Sequence, residues 1–478
     1  MKTRVCHSIV ALLIACSTTA HLWPSPCKAE DPDEEWARER ADWEVRNGYM
    51  FYTLPEREPP KRELPDYSGQ DGDVVTFEEG ALWIPRFIFF PVYLVLEGVL
   101  RGGLGSGITK AEEKEIPARV IDAFRFGEKQ QYTVFPIFSF DFGLRANIGV
   151  VSSFGDIPVK HTTLSASALF GGIDFVSGVI GITWTPPGKK WSGGINVGAS
   201  RRADGLFFGL GSEANKDNES RYNWVGYDVG VNYTVEPFRR GSISLDTGYR
   251  YRVFGDDVSG TTIPDLVLEG NISELPPAYP EGYSAWYLDP RITYDSRQPR
   301  PAPGSGVHIS LGFNFAVDPV RGDTSNSWIV YGTGVRGFLD VSGNNHTLSL
   351  GWIVVFSDGI RGEVPFTEVP AISGNGPMPG FVGRVLAGDS ATALNFQFTW
   401  PIWLRLDGKV HFAVGNVFDG HLSNFAFDDL RMSFGGGIQA HGAEKTYFEF
   451  MVGGGTETFA QGPSVTSVRI LFGVSRDY

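Results

Sequence analysis

"PIFSFDFGLRANIGV", residues 136–150, alternates apolar and polar side chains from end to end. Phe138, Phe140, Phe142, Leu144, Ala146, Ile148 and Val150 share one parity, while Ser139, Asp141, Gly143, Arg145, Asn147 and Gly149 share the other. Extended backbone sends successive side chains to opposite faces, so the run predicts a strand with one apolar and one polar face. Its length exceeds the roughly five or six residues usual in soluble strands and suits the ~9–11 needed to cross a bilayer at a tilt. We read it as a first strand over 134–151.

The same period returns along the chain. "VHISLGFNFAV" (307–317) sends Val307, Ile309, Leu311, Phe313, Phe315 and Val317 one way and His308, Ser310 and Asn314 the other. "VGYDVGVNYTV" (225–235) and "ISLDTGYRYRV" (243–253) place Asp228, Asn232, Asp246, Arg250 and Arg252 on the polar face. "TLSLGWIVVF" (347–356), "LNFQFTW" (394–400) and "TYFEFMV" (446–452) follow. Aromatics crowd one face and Gly, Asp, Arg and Asn the other, the signature of a transmembrane barrel rather than of a soluble sandwich.

Counting predicts about sixteen strands, an even number that closes without edges, as a bilayer demands. They begin 134–151, 160–172, 173–186, 190–200, 204–211 and end 444–454, 463–475. The expected fold class is therefore all-β, an antiparallel transmembrane β-barrel over 131–478 with a short, partly helical N-terminal extension.

Composition agrees. Among 478 residues there are 60 Gly, 35 Phe and 12 Trp, and only 20% are charged. A net charge of −14 without a basic stripe excludes a nucleic-acid partner. Residues 1–29 read as a signal peptide: Lys2 and Arg4 precede the apolar "IVALLIA" (9–15). Two exits fit, "CKA" (27–29) as a small-x-small site, or "LIAC" (13–16) with Cys16 as a lipidated residue. Cys6, Cys16 and Cys27 all lie in this leader, so the first exit leaves no thiol for disulfide, metal or catalysis.

Residues 30–130 read as a periplasmic extension of linker and short interfacial helices. "EEWARERADWEV" (34–45) fits one helix and 110–129 another. "ALWIPRFIFFPVYLVLEGVL" (81–100) is the most apolar run, but Pro85, Pro91, Arg86 and Glu97 oppose a spanning helix. A broken amphipathic segment, lying at a membrane surface or packed on another domain, fits better.

The last third is specific enough to suggest a family. "GFVGRVLAGDSATALNFQFTWPIW" (380–403), "LRLDGKVHFAVGNVFD" (404–419), "DLRMSFGGGIQA" (429–440) and "SVRILFGVSRDY" (467–478) follow a long loop in an order that resembles the BamA/TamA-type outer-membrane proteins, the bacterial surface antigen family. "YDSRQPRPAPGSGVHISLGFNF" (294–315) is similar to that family's D-x-R-x-x-P-x-x-G strand pairing. The resemblance implies a sixteen-stranded barrel whose first and last strands meet at a weak seam. It also implies a sixth external loop that folds into the lumen, with an Arg-Gly-Phe/Tyr tip whose arginine meets acids on strands twelve and thirteen.

This chain departs from that pattern. Pro379 stands where the arginine is expected, Gln397 replaces the strand-twelve glutamate and Ala413 the strand-thirteen aspartate. We infer that the ionic latch was lost as a unit, because losing one member would strand a buried charge. The loop "ISGNGPMPGFVGRVLAGDS" (372–390) is still expected to occupy the lumen, with Gly380 in a tight turn and Phe381 packing it. Arg384 is either a relocated anchor or a solvated loop residue. The family's N-terminal POTRA domains are not recognisable before 131, and Tyr478 supplies an aromatic C-terminus.

Among charges, Asp141 and Arg145 are expected in the lumen, as are Asp289, Arg291, Asp295 and Arg297, whose i, i+2 spacing fits salt-bridge ladders or, alternatively, a functional channel lining. No nucleophile elbow, HExxH, phosphate loop or dinucleotide fingerprint occurs, and the eight histidines lack ligand or triad spacing, so neither enzyme activity nor a cofactor or metal is expected. Three functions remain. The first is a POTRA-less barrel that assists insertion or translocation of protein or lipid through its seam. The others are a channel for small solutes and a structural anchoring barrel. The expected location is the bacterial outer membrane, and the expected partners are its lipids, client outer-membrane proteins or periplasmic proteins, with the chain itself a monomer.

Overall fold

The computed structural model describes residues 123–127, 131–141, 143–211, 214–238, 240–297, 304–319, 326–341, 345–403, 406–441 and 446–473. The expected signal peptide with Cys16, nearly all of the expected extension and Tyr478 lie outside the described residues.

The chain forms a closed antiparallel barrel of sixteen strands. They are Tyr132–Asp141 (β1), Asn147–Gly155 (β2), Thr162–Gly172 (β3), Phe175–Trp184 (β4), Trp191–Phe207 (β5), Ser220–Phe238 (β6), Gly241–Gly255 (β7), Tyr283–Asp295 (β8), Gly306–Asp318 (β9), Asn326–Asp340 (β10), Thr347–Arg361 (β11), Ser390–Trp403 (β12), Leu406–Phe418 (β13), Arg431–His441 (β14), Thr446–Thr456 (β15) and Val465–Gly473 (β16). Each pairs with its neighbour in sequence, and β16 returns to β1. A two-residue strand, Arg125–Phe126, lies against Tyr132 and Thr133 on β1. Among the described residues no helix is long and apolar enough to cross a membrane.

Alternation decides the two faces, as the pattern of β9 shows. Val307, Ile309, Leu311, Phe313 and Phe315 are each 36–39% exposed on the outside, while the residues between them face inward. An outward apolar face is stable only against lipid, whereas the inward polar groups pair with one another. Arg250 and Arg252 on β7 both reach Asp228 on β6, at 3.0 and 2.6 Å.

The predicted total of sixteen strands is right, but two boundaries are not. The run 134–151 is a hairpin, β1 and β2, rather than one strand. Ser139 faces Asn147 and Phe138 faces Ile148, so paired positions have equal parity and the alternation passes through the turn in phase. Periodicity alone cannot detect such a turn. Conversely, 190–200 and 204–211 belong to one strand, β5. The charged "RRAD" (201–204) marks a register irregularity between Arg202 and Gly205, where Arg202 turns onto the buried Asp204 at 2.9 Å.

Long connections gather at one end of the barrel: 208–219, 256–282, 362–389 and 419–430. We call this the loop end and the opposite one the turn end. Two apolar clusters fill the loop end. One gathers Phe207, Tyr222, Phe254, Tyr279 and Tyr283 around Phe366. It includes Ile263 and Leu266 of a short helix, α1 (Ile263–Leu268). The other gathers Leu206, Phe208, Ile372, Met378, Phe381, Ala393, Ala413 and Val417. The connection 362–389 contributes to both, so it stoppers the barrel from within.

Candidate functional site at the barrel seam

Strands β1 and β16 pair through two described positions, Leu471 with Asp141 and Phe472 with Phe140. The next joint, β1 to β2, carries eight. On the loop side β1 ends at Asp141, so Val465–Ile470 of β16 have no described β1 position opposite. Toward the turn end the same edge of β1 is taken by the chain itself. Arg125–Phe126 pairs with it, Val134 N–H donates to Phe124 O at 3.0 Å, and the Phe124 and Phe135 rings meet edge to face at 5.0 Å.

Where the ladder stops, a side chain continues it. Arg469 of β16 donates Nε and Nη2 to the two carboxylate oxygens of Asp141, at 2.7 and 2.6 Å. Its Nη2 also reaches Asn375 Oδ1 at 2.9 Å, and its Nη1 donates to the carbonyls of Pro379 (3.1 Å) and Gly374. All five donors of the guanidinium therefore have acceptors, which explains how a charged side chain 1% exposed is tolerated here. One residue fastens both the seam and the loop.

The loop tip, residues 374–381, lies against the inner wall. Asn395 Nδ2 on β12 donates to Pro377 O at 2.9 Å, and Gly380 N–H donates to Ser433 Oγ on β14 at 2.8 Å. A Cβ on Gly380 would stand 2.1 Å from the carbonyl oxygen of Gly454 on β15, so only glycine permits this approach. Gly455 serves the same purpose from the wall, since a Cβ there would meet the Phe381 ring at 2.5 Å. Phe381 is 1% exposed, within the second apolar cluster.

The other side of the loop holds to the opposite wall. Glu368 accepts from Arg250 Nη1 of β7 at 2.8 Å and from the hydroxyl of Tyr283 on β8. In a ring of sixteen strands β8 and β16 are half a turn apart, so the loop crosses the lumen as a bar fixed at both ends.

Pro379, Gln397 and Ala413 form no ionic latch, but the loop is anchored elsewhere by arginines that stand on the wall: Arg250 by an ion pair to Glu368, and Arg469 by hydrogen bonds to Asn375 and two loop carbonyls. Arg384 is neither an anchor to the wall nor free in solvent. With φ of 64° it turns back to donate to Phe366 O at 2.5 Å and Thr367 O at 3.3 Å, tying the loop to itself. Ala413 lies wholly buried in the second cluster, filling the space of the expected aspartate with a methyl group. Gln397 donates to Thr399 Oγ1 at 3.1 Å and lines a chamber below the loop.

Of the other expected lumen charges, Asp141 is in the seam and Arg297 grips Asp295 at 2.7 Å while lying 4.6 Å over the Phe338 ring. Asp289 and Arg291 line the chamber but form no direct ion pair among the described residues. Arg145 is corrected: it lies in the β1–β2 turn, half-exposed and 3.9 Å from Asp174, because the strand expected to carry it ends at Asp141. Arg469 and Glu368 were missed. Arg469 was visible as a lone cation on the inward parity of "SVRILFGV", but its partners are 328 and about 90 residues away in sequence.

The chamber has a volume of about 600 Å³. The loop tip bounds it on one side, and it extends toward the turn end past Arg291, His308, Arg336, Ser349, Gln397 and Lys409.

The barrel is similar to that of "BamA from Haemophilus ducreyi lacking POTRA domains 1-3", with a TM-score of 0.52 and 13% sequence identity over 72% of this chain and 70% of that one. CdiB from Acinetobacter baumannii aligns over 72% of this chain and 60% of its own, at 10% identity and a TM-score of 0.45. The CymD monoaromatic hydrocarbon channel aligns over 70% of this chain and 88% of its own, at 11% identity and a TM-score of 0.31. No family profile and no curated protein matches the chain. The first likeness supports a BamA-like barrel fold.

Proposed function

We propose that this chain is an outer-membrane barrel of the BamA type that assists insertion or translocation of protein or lipid through its seam. The observation that carries this reading is the joint between β1 and β16, where two described backbone pairs are reinforced by the Arg469–Asp141 clasp. The shorter a joint's backbone ladder, the less it costs to separate, because fewer backbone groups lose partners on opening. The exposed edge of β1 then offers hydrogen-bond donors and acceptors to an incoming strand. Outer-membrane lipids and client barrel proteins are the proposed partners, and the chain acts as a monomer without catalytic groups or cofactor.

A solute channel is the second reading, favoured by the polar chamber. The loop bar and the two apolar clusters oppose it by filling the loop end. Reconstitution separates the two. Faster folding of a client barrel into liposomes that contain the protein supports the seam reading. Steady single-channel conductance with no effect on client folding would replace it by the channel.

A further inference from the structure

Among the charges that line the chamber, Arg336 takes no part in the seam. Arg336 on β10 stands in the register row Asp295–His308–Arg336–Gly351 across β8 to β11. A Cβ on Gly351 would lie 2.8 Å from Arg336 Nε and 3.4 Å from its Cγ, so the side chain lies flat over that glycine, along the chamber wall. Among the described residues Arg336 makes no ion pair and no hydrogen bond to protein.

Its neighbours do not neutralise it. Arg297 is the charge acting on it, and Arg297 is itself paired with Asp295 and lies over the Phe338 ring. The carboxylates lining the chamber are Asp289, Asp407 and Glu449. Glu449 pairs with Lys409, Asp407 stands on β13, three strands from β10, and Asp289 stands six residues along β8 from the row that holds Arg336. A half-buried cation beside a second cation is costly unless an anion accompanies it. His308, Ser310 and Ser349 line the same chamber and supply further hydrogen-bonding groups.

We propose that this corner of the chamber binds an oxyanion, the phosphate or carboxylate group of a small solute, with Arg336 as its principal contact and His308, Ser310 and Ser349 around it. Guanidinium suits such groups because its planar donors match two oxygens at once. A volume of about 600 Å³ admits a ligand well beyond a bare ion. The site does not depend on the seam, so a protein inactive toward clients still binds the anion.

The test titrates inorganic phosphate and, separately, succinate into the full chain in nonionic detergent, with heat of binding as the readout. The expected result is saturable binding of at least one, weakened about tenfold or more in Arg336→Gln and unchanged in Arg145→Gln. Whichever anion binds identifies the group. Heat-dependent gel mobility reports whether each variant folds. If Arg336→Gln does not fold, Arg336→Lys takes its place, with weaker binding expected from a point charge. Binding of neither anion to the unmodified protein, or unchanged binding by the Arg336 variant, would overturn the proposal.

Discussion

Arg469 on β16 and Asp141 on β1 face each other through two parallel contacts of 2.7 and 2.6 Å, at the point where the backbone ladder between their strands ends. The same guanidinium holds the loop tip at Gly374, Asn375 and Pro379. Closing the barrel and seating the loop are thus one event at one side chain.

Arg469→Ala should therefore cost about 3–5 kcal/mol, since it leaves Asp141 charged and unpartnered and frees the tip. Asp141→Asn, which keeps an acceptor and the loop contacts, should cost about 1–3 kcal/mol. Urea unfolding in vesicles, followed by tryptophan fluorescence, measures both. The double variant should fall short of the sum, because the residues share one network.

A disulfide at the seam addresses the opening itself. Phe140 and Phe472 are register partners, and paired Cα atoms lie within disulfide range. Phe140→Cys with Phe472→Cys should crosslink under mild oxidation and abolish client folding, with recovery on reduction. Full activity of the oxidised protein would exclude a seam that opens.

Gly380→Ala tests the tip. Its new methyl group would collide with the Gly454 carbonyl, which belongs to the barrel wall and cannot retreat. The tip should lift from the wall, making the bonds near residues 374–381 cleavable by added protease while the barrel stays folded. Phe381→Ala should instead leave a cavity and cost about 3–5 kcal/mol.

At the far anchor, Glu368→Gln should cost less than Arg250→Ala. Arg250 keeps Asp228 when Glu368 is neutralised, but losing Arg250 leaves Glu368 half-served and buried. We expect about 1–2 against about 3–5 kcal/mol in the same unfolding assay.

The exposed cap of α1 supplies a pH dependence. Hydrogen bonds from the Thr262 backbone and hydroxyl hold the Asp265 carboxyl below the ordinary carboxylate range. A depressed acid contributes above its unfolded pKa, and the contribution disappears as pH falls through the folded value. Amide exchange over 262–270 should therefore quicken in mild acid, and Asp265→Asn should remove that dependence.

Most of the barrel is legible in the sequence because lipid outside and water inside impose a two-residue period on every strand. The period fails where it is blind. It passes through the β1–β2 turn because Ser139 and Asn147 share parity, and it breaks inside β5 because Arg202 and Asp204 make a bulge. The loop's place was inferable from its glycines, but its anchors were not. Looking for an arginine on the loop and acids on the wall finds Pro379, Gln397 and Ala413, all neutral, and suggests a lost latch. Electrostatics requires only that opposite partners meet, and here they meet with the sides exchanged. Arg469 and Glu368 each find their partners through closure of the ring, which no local pattern records.

The loop bar has a mechanical consequence. A closed ring under lateral pressure deforms at its weakest joint, and a chord across the ring limits how far that joint can part. This chord runs from β7 and β8 to the side chain that bridges the joint, so any widening of the gap must stretch the bar or release it at one end. The loop thus resists parting of the wall through the Arg469 hydrogen bonds at one end and the Arg250–Glu368 salt bridge at the other.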